Sequence, residues 1–183
     1  MIGATRPIVL ATASPARRKL VFDLGLKFFT DVVDIDENPK PHEDVKEYVR
    51  RLSLEKANKV VPPSLDAIIV TVDTAICVDG LIIGKPRDEL HAREILNLLS
   101  DRTHDVMSCI AIRDVSNASI ETEITDTIVK FQKLSPEMID WYISTNEWKG
   151  RAGAYAIQEK GACLVEEVHG CFTNVIGISI PAF

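Results

Sequence analysis

The sequence predicts an α/β or mixed α+β protein. Apolar, β-branched runs typical of strands interleave with segments whose apolar residues recur at helical spacing. The chain has 183 residues, of which 46% are hydrophobic and 26% are charged, so it can close one hydrophobic core. No low-complexity tract and no repeat with a period of roughly 20 to 50 residues is found. We therefore expect one domain over residues 1–183.

The first half of the chain alternates between strand and helix signals. The apolar run at 7–12 predicts a buried strand, and Ser14-Pro15 then predicts a helix start, because serine caps free amides and proline fits the first turn. Gly25 predicts the end of this helix. Further elements expected here are a strand at 26–33, an acidic loop at 34–41, a helix at 43–61, a strand at 67–72, and a hairpin of 75–78 and 81–83 around Asp79-Gly80.

The second half of the chain shows the same alternation. Apolar residues at helical spacing predict a helix at 88–100 that buries Ala92, Ile95, Leu96 and Leu99. The remaining elements expected are long strands at 105–114 and 120–131, a helix at 135–143, and strands at 162–168 and 175–180.

Charge and composition exclude several function classes. A formal net charge of −6 argues against a nucleic-acid surface, which requires clustered lysine and arginine. The apolar run at 8–13 is too short for a signal peptide or a membrane span, so we expect a cytoplasmic protein that binds neither nucleic acid nor membrane. The cysteines form no C-x-x-C pair and are expected to be free, buried thiols in strand-like segments. They are Cys77, Cys109, Cys163 and Cys171.

Two basic residues lie where apolar ones are expected. Lys56 falls near the centre of the apolar stripe formed by Tyr48 and its neighbours on the predicted helix at 43–61. It either extends to solvent or delivers its ammonium to an anion in a cleft. Arg17 shares the apolar face of the first helix, in the turn where free amides bind phosphate. The alternative is a surface arginine paired with an acid such as Asp23.

Acidic residues and a third cation add to this candidate site. Asp73 follows an apolar strand, which is where ligands meet open α/β sheets, and its carboxylate can bind a hard cation or accept a proton from water. Glu37 in the acidic loop is a second possible metal ligand, although acids also form turns and caps. Lys85 lies in Gly84-Lys85-Pro86, a motif that is weak alone. The histidines and Ser14 match no zinc-hydrolase or serine-hydrolase spacing.

Taken together, these segments resemble the Maf family of nucleotide pyrophosphatases. The match runs from Leu10 to Ile178, with the motifs in the family's order. The segments concerned are Thr12-Ala-Ser-Pro-Ala-Arg17 for S-x-S-P-R-R, Asp36-Glu37, Glu55-Lys56-Ala57, Thr71-Val-Asp-Thr74 for G-A-D-T, Gly84-Lys85-Pro86, and residues 100–104, 152–158 and 174–177.

The resemblance implies a two-lobed fold of the Maf and inosine-triphosphatase type, with a central cleft and usually a homodimer. The implied reaction is hydrolysis of a nucleoside triphosphate to the monophosphate and pyrophosphate, with Mg²⁺ or Mn²⁺. Asp73 would then be the general base and, with Glu37, a metal ligand. The residues that would bind and neutralise the triphosphate are Ser14, Arg17, Lys56 and Lys85.

Base choice is implied at three family positions, which here hold Ala16, Thr74 and Gln158. Thr74 and Gln158 agree with the dTTP/UTP branch rather than the 7-methyl-GTP branch, whereas Ala16 replaces an arginine. Two other interpretations are a pyrophosphatase of the inosine triphosphatase kind and a non-catalytic regulator of cell division that binds nucleotide or protein.

Overall fold

A mixed seven-stranded sheet with helices on both faces forms the centre of the computed structural model, which describes residues 6–183. The strands are β1 (Ile8–Ala11), β2 (Phe29–Asp31), β3 (Ile68–Val78), β4 (Leu81–Ile83), β5 (Thr103–Asp114), β6 (Ser119–Phe131) and β7 (Val165–His169). The helices are α1 (Pro15–Asp23), α2 (Val45–Lys59), α3 (Glu89–Leu99), α4 (Pro136–Ser144) and α5 (Phe172–Ile176). The α/β class predicted from the sequence is confirmed.

The strand order is β2-β1-β3-β5-β6-β7, and β4 pairs with β3 outside this path. Strand β1 runs parallel to β3 at residues 68–71, and β4 runs antiparallel to it at 76–78. Strand β5 covers the opposite edge of β3 over its length. Among residues 6–183, no strand pairs with the first edge of β3 at 72–75, so the sheet is interrupted there.

Side chains of β3 alternate between the two faces of the sheet. The odd-numbered residues face α2, as the packing of Ala75 with Val49 shows. The even-numbered residues face the other side, where two separate cores form. Val70 and Val72 pack with α1 in one core, whereas the core beyond them contains Ile76 and the helices α3 and α4. The interrupted edge therefore lies between two packed lobes.

Helix starts follow the side-chain caps that the sequence indicates. The Ser14 hydroxyl accepts a hydrogen bond from the amide of Arg17, and Ser135 does the same for Met138. Asp44 caps α2 by accepting from the amide of Glu47. These caps satisfy amides that a first turn leaves without partners, so the helix starts are locally encoded.

Three predicted strand boundaries are wrong. The strand expected at 26–33 is only Phe29–Asp31. The strand expected to end before Asp73 continues to Val78, because the hairpin partner β4 pairs with its second half, and Asp73 is therefore in mid-strand. Of the strand expected at 162–168, the first part is a 3₁₀ turn, Lys160–Leu164.

The segment at 175–180, predicted as a strand, is also different. Helix α5 extends into it, and Gly177, with φ of 133°, ends the helix. The side chain of Asn174 is fully buried and donates hydrogen bonds to the carbonyls of Val106 (2.8 Å) and Thr125 (3.3 Å). This amide needs those partners, because a buried polar group without them costs free energy, and it fixes α5 against β5 and β6.

All four cysteines are free, as predicted, but only two are buried. Cys77 and Cys109 lie in β3 and β5. Cys163 is exposed in a 3₁₀ turn, and Cys171 is half-buried before α5, so their predicted strand positions are wrong. Within the described part of the chain, no helix has the length and apolar character needed to cross a membrane.

Candidate active site

A cleft of about 1140 Å³ opens at the interrupted edge of β3, a volume at the upper end of ordinary ligand pockets. The walls come from the turn before α1, the acidic loop, α2, β3, the segment after β4 and the loop after α4. All but one of the site residues predicted from the sequence line it. They are Ser14, Arg17, Glu37, Lys56, Asp73, Thr74, Lys85 and Gln158. Ala16 is not among the lining residues.

Four charged side chains alternate in sign across this cleft. The ammonium of Lys56 lies 3.0 Å from Oδ1 and 2.8 Å from Oδ2 of Asp73. It also donates to Oε1 of Glu37 at 2.8 Å, and Lys85 lies 3.3 Å from the other oxygen of Glu37. Lys56 is therefore not a solvent-extended side chain, since only 12% of it is exposed and it joins two carboxylates. We call these four residues the charge cluster.

Asp73 is the most buried acid of the charge cluster, with 10% of its side chain exposed. Burial raises the pKa of Asp73, while the positive charges of Lys56 and Arg17 act in the opposite direction. No residue in the range 6–183 makes a hydrogen bond to Oδ2. The nearby ammonium satisfies the distance of an ion pair with this oxygen, but not the geometry of a hydrogen bond. The nearest partner of this buried carboxylate oxygen is therefore the Lys56 ammonium.

Glu37 is held in place by the outer side of α2. The Tyr48 hydroxyl donates to the Glu37 carbonyl at 2.8 Å, and Arg51 donates to the carbonyl of Asn38 at 3.2 Å. Lys59 donates to the carbonyl of Asp34. Burial raises the pKa of Glu37, but the hydrogen bond and charge of Lys56 outweigh it, so the pKa lies below its ordinary value. The acidic loop therefore presents an ionised carboxylate to the cleft.

Arg17 contacts the cleft wall rather than a surface acid. Its Nε donates to the carbonyl of Gly177 at 2.7 Å, and its Nη2 donates to the Thr74 hydroxyl at 2.9 Å. The Thr74 hydroxyl in turn donates to the same carbonyl at 3.2 Å. Asp23, the alternative partner, pairs with Lys19 instead. Burial lowers the pKa of Arg17, and the charges of Asp73 and Glu37 oppose this effect.

Three residues of the cleft were missed by reasoning from the sequence alone. Tyr48 was assigned to the apolar stripe of α2, yet its hydroxyl reaches the cleft, and burial raises its pKa to about 12. Lys149 and Arg151 also line the cleft. The available signal was a pair of basic residues flanking Gly150, directly before the motif at 152–158.

Comparison with known proteins shows the family of the chain. A family model described as Maf-like protein matches residues 7–183. The chain belongs to the Maf family. The Maf resemblance of the sequence motifs is therefore confirmed, and the Maf family is favoured over the inosine triphosphatase kind.

Relatives within the Maf family are similar over nearly their whole length. The dTTP/UTP pyrophosphatase of Acinetobacter baylyi is 42% identical over 171 residues, which are 93% of this chain and 92% of that protein. The dTTP/UTP pyrophosphatase of Clostridium novyi is 40% identical over 175 residues, covering 94% and 92% of the two chains. The Maf relative of the same name from Myxococcus xanthus is 40% identical over 173 residues, covering 94% and 87%.

Proposed function

We propose that this member of the Maf family hydrolyses dTTP, UTP and modified pyrimidine nucleotides to a nucleoside monophosphate and pyrophosphate. The single observation that carries the proposal is the charge cluster, which places a buried carboxylate beside several cations in one cleft. The names of the similar proteins support the same reaction, since they are dTTP/UTP pyrophosphatases. The homodimer and the cytoplasmic location stay predictions.

Binding of the triphosphate is assigned to the cations of the cleft. Arg17, Lys56 and Lys85 converge there although the chain carries a formal net charge of −6, so cations are concentrated at one place in an acidic protein. Ser14 begins α1, whose first-turn amides and dipole favour a phosphate. When the triphosphate binds, its oxygens replace Glu37 as partners of Lys85, which is 60% exposed and free to move.

Asp73 is proposed as the general base. Its carboxylate lines the cleft beside the Lys56 ammonium and accepts a proton from water there. The water oxygen forms a bond to the α phosphorus, and the bond to the bridging oxygen breaks with pyrophosphate as the leaving group. Lys56 and Arg17 offset the charge that develops on the phosphoryl oxygens.

A divalent cation is assigned to Glu37 and Asp73. Within residues 6–183, no group of three or more His, Cys, Asp or Glu side chains converges as a metal site. Two carboxylates that already meet around one positive charge, the Lys56 ammonium, nevertheless fit Mg²⁺ or Mn²⁺, because Mg²⁺ commonly takes one or two carboxylates together with substrate phosphates. The bound cation would supply Lewis-acid stabilisation of charge on the phosphoryl oxygens.

Removal of the metal gives a direct test of this assignment. Dialysis against EDTA is expected to lower pyrophosphate release at least about 100-fold, because charge on the phosphate would lose its main counterion. Addition of Mg²⁺ or Mn²⁺ should restore the rate, which is measured by coupled pyrophosphate detection. Full activity after chelation, verified by metal analysis, would contradict the assignment of Glu37 and Asp73.

Base choice is assigned to Thr74 and Gln158, with position 16 as a departure from the family pattern. Gln158 is exposed at the rim of the cleft, and Thr74 is held by Arg17.

Changing Ala16 to arginine is expected to raise kcat/KM for dTTP about 10-fold, since a first-turn guanidinium adds a charge-assisted contact. The control is Lys19→Arg, because Lys19 is exposed on the same helix and pairs with Asp23 rather than with a residue of the cleft. If the ratio of kcat/KM for dTTP to kcat/KM for 7-methyl-GTP is the same in Ala16→Arg as in the parental protein, position 16 has no role in base choice.

The deciding experiment is a substrate panel with the purified protein and Mg²⁺ or Mn²⁺. The panel contains dTTP, UTP, CTP, ITP, 5-methyl-UTP and 7-methyl-GTP, and pyrophosphate is measured separately from orthophosphate. Pyrophosphate from dTTP and UTP is expected. A folded protein that releases no pyrophosphate from any of them would favour the second interpretation, a non-catalytic regulator of cell division.

A further inference from the structure

Ser53 is a polar residue at the centre of an apolar helix face. It lies on the side of α2 that packs against the sheet, between Leu52 and Ala57, and its exposed fraction is 0%. A fully buried hydroxyl is costly unless it forms hydrogen bonds. Its partners therefore indicate what the residue does.

The Ser53 hydroxyl joins the two strands at the position of Asp73. It accepts a hydrogen bond from the Asp73 amide at 3.0 Å and donates one to the carbonyl of Cys109 at 2.6 Å. Asp73 and Cys109 are direct partners in the β3–β5 ladder. One helix side chain thus bridges the main chains of two facing strand residues. The Ser53 carbonyl accepts a further bond from the Thr71 hydroxyl at 2.7 Å.

The same helix holds the side chain of Asp73 as well as its main chain. Lys56 follows Ser53 by three residues, which places the two on one face of α2, about 4.5 Å apart along the axis. Ser53 fixes the Asp73 amide, and Lys56 contacts the Asp73 carboxylate at 2.8–3.0 Å. Apolar contacts such as that of Val49 with Ala75 are non-directional, so they do not fix this register by themselves.

We propose that Ser53 is a positioning residue for the reaction: its hydroxyl sets the register of α2 on β3 and thereby aligns the Lys56 ammonium with the Asp73 carboxylate. This inference rests on the proposed function for its catalytic consequence. The structural bridge itself does not depend on the function. Ser53 touches neither the substrate nor the metal, since it does not line the cleft.

The test compares Ser53→Ala with Thr71→Val in the full-length protein. Thr71→Val removes one buried hydrogen bond between β3 and α2. Ser53→Ala removes two, those with the Asp73 amide and the Cys109 carbonyl, and only this change removes a bond to Asp73. We expect Ser53→Ala to lower kcat about 10- to 100-fold with KM within about 3-fold, because a small misplacement of reacting groups has an effect of this size. Thr71→Val should keep kcat within about 3-fold and lower the melting temperature less than Ser53→Ala, because it loses one buried hydrogen bond instead of two.

A second variant and a second measurement complete the design. Ser53→Cys keeps an S–H group in place of the hydroxyl, slightly larger and with weaker hydrogen bonds, and should give an intermediate kcat. Hydrogen exchange of the Asp73 amide should be faster in Ser53→Ala than in Thr71→Val. Equal loss of kcat in the two variants, or unchanged kcat in Ser53→Ala, would overturn the inference.

Failure of the proposed function has a different signature from failure of this inference. If the parental protein releases no pyrophosphate from any triphosphate, the proposed function fails. Exchange at Asp73 is then still measured in both variants. An Asp73 amide that exchanges no faster in Ser53→Ala than in Thr71→Val would show that the bridge is absent and would overturn the inference independently.

Discussion

Replacement of Asp73 by asparagine is expected to lower kcat for dTTP about 10³-fold while the protein stays folded. The change removes the group that takes the proton from water, and general-base catalysis contributes an effect of this order. Asparagine has nearly the same shape, and the hydrogen bond from the residue 73 amide to Ser53 uses only the main chain. The expected result is therefore a folded protein that binds nucleotide and turns it over very slowly.

A matched control for this change is available on the neighbouring strand. Asp105 lies in β5, burial also raises its pKa, and it does not line the cleft. Asp105→Asn should keep kcat within about 2-fold of the parental value, as expected for a change outside the site. Steady-state kinetics and circular dichroism of both variants give the measurement. Parental turnover by Asp73→Asn, or loss of its fold, would remove Asp73 from the role of base.

Replacement of Lys56 by methionine is expected to reduce both activity and stability. From the sequence alone, methionine should fit the apolar stripe of α2 on which Lys56 lies, so no loss of stability is expected. The structure instead places the Lys56 ammonium between two carboxylates. Loss of the cation leaves Asp73 buried without its nearest counter-charge, which we expect to lower the free energy of unfolding by about 2 kcal/mol. We expect kcat to fall about 10²-fold, as for loss of other groups that stabilise developing charge.

The double variant Lys56→Met with Asp73→Asn separates the two effects. Removal of both charges should return the free energy of unfolding to within about 1 kcal/mol of the parental value, whereas activity should stay lost. Lys46→Met is the control, because Lys46 is exposed in the first turn of α2 and does not line the cleft. Urea unfolding and kinetics give the measurements. Equal effects of the two lysine changes, or no recovery in the double variant, would contradict the ion-pair interpretation.

Local signals predicted most of the fold correctly. Ser14-Pro15 gave the start of α1, and the spacing of Ala92 and Leu99 gave α3 with the buried face that the structure shows. The segment at 175–180 was misassigned because β-branched apolar residues satisfy a strand pattern as well as a short buried helix. The conformation there depends on Asn174, whose partners on β5 and β6 are distant in sequence.

The site was predicted where polar residues conflicted with their surroundings. Lys56 and Arg17 were found because a cation on an apolar face requires a partner, and the structure provides one for each. Tyr48 was missed because an aromatic ring in an apolar stripe is compatible with an ordinary core position. Asp73 was selected as a residue at a strand end, although it lies in mid-strand opposite an interruption on the neighbouring edge.

The width of the cleft is set by a count of residues. Strand β1 ends beside Thr71 and the antiparallel β4 ends beside Ile76, so four residues of β3, Val72–Ala75, face the opening. At about 3.3 Å per residue, the opening spans about 13 Å along the strand. One additional ladder pair at the end of β1 or β4 would shorten it by one such step. Along the strand, the length of the opening can therefore change in discrete increments, through strand length, without any change in the charged residues.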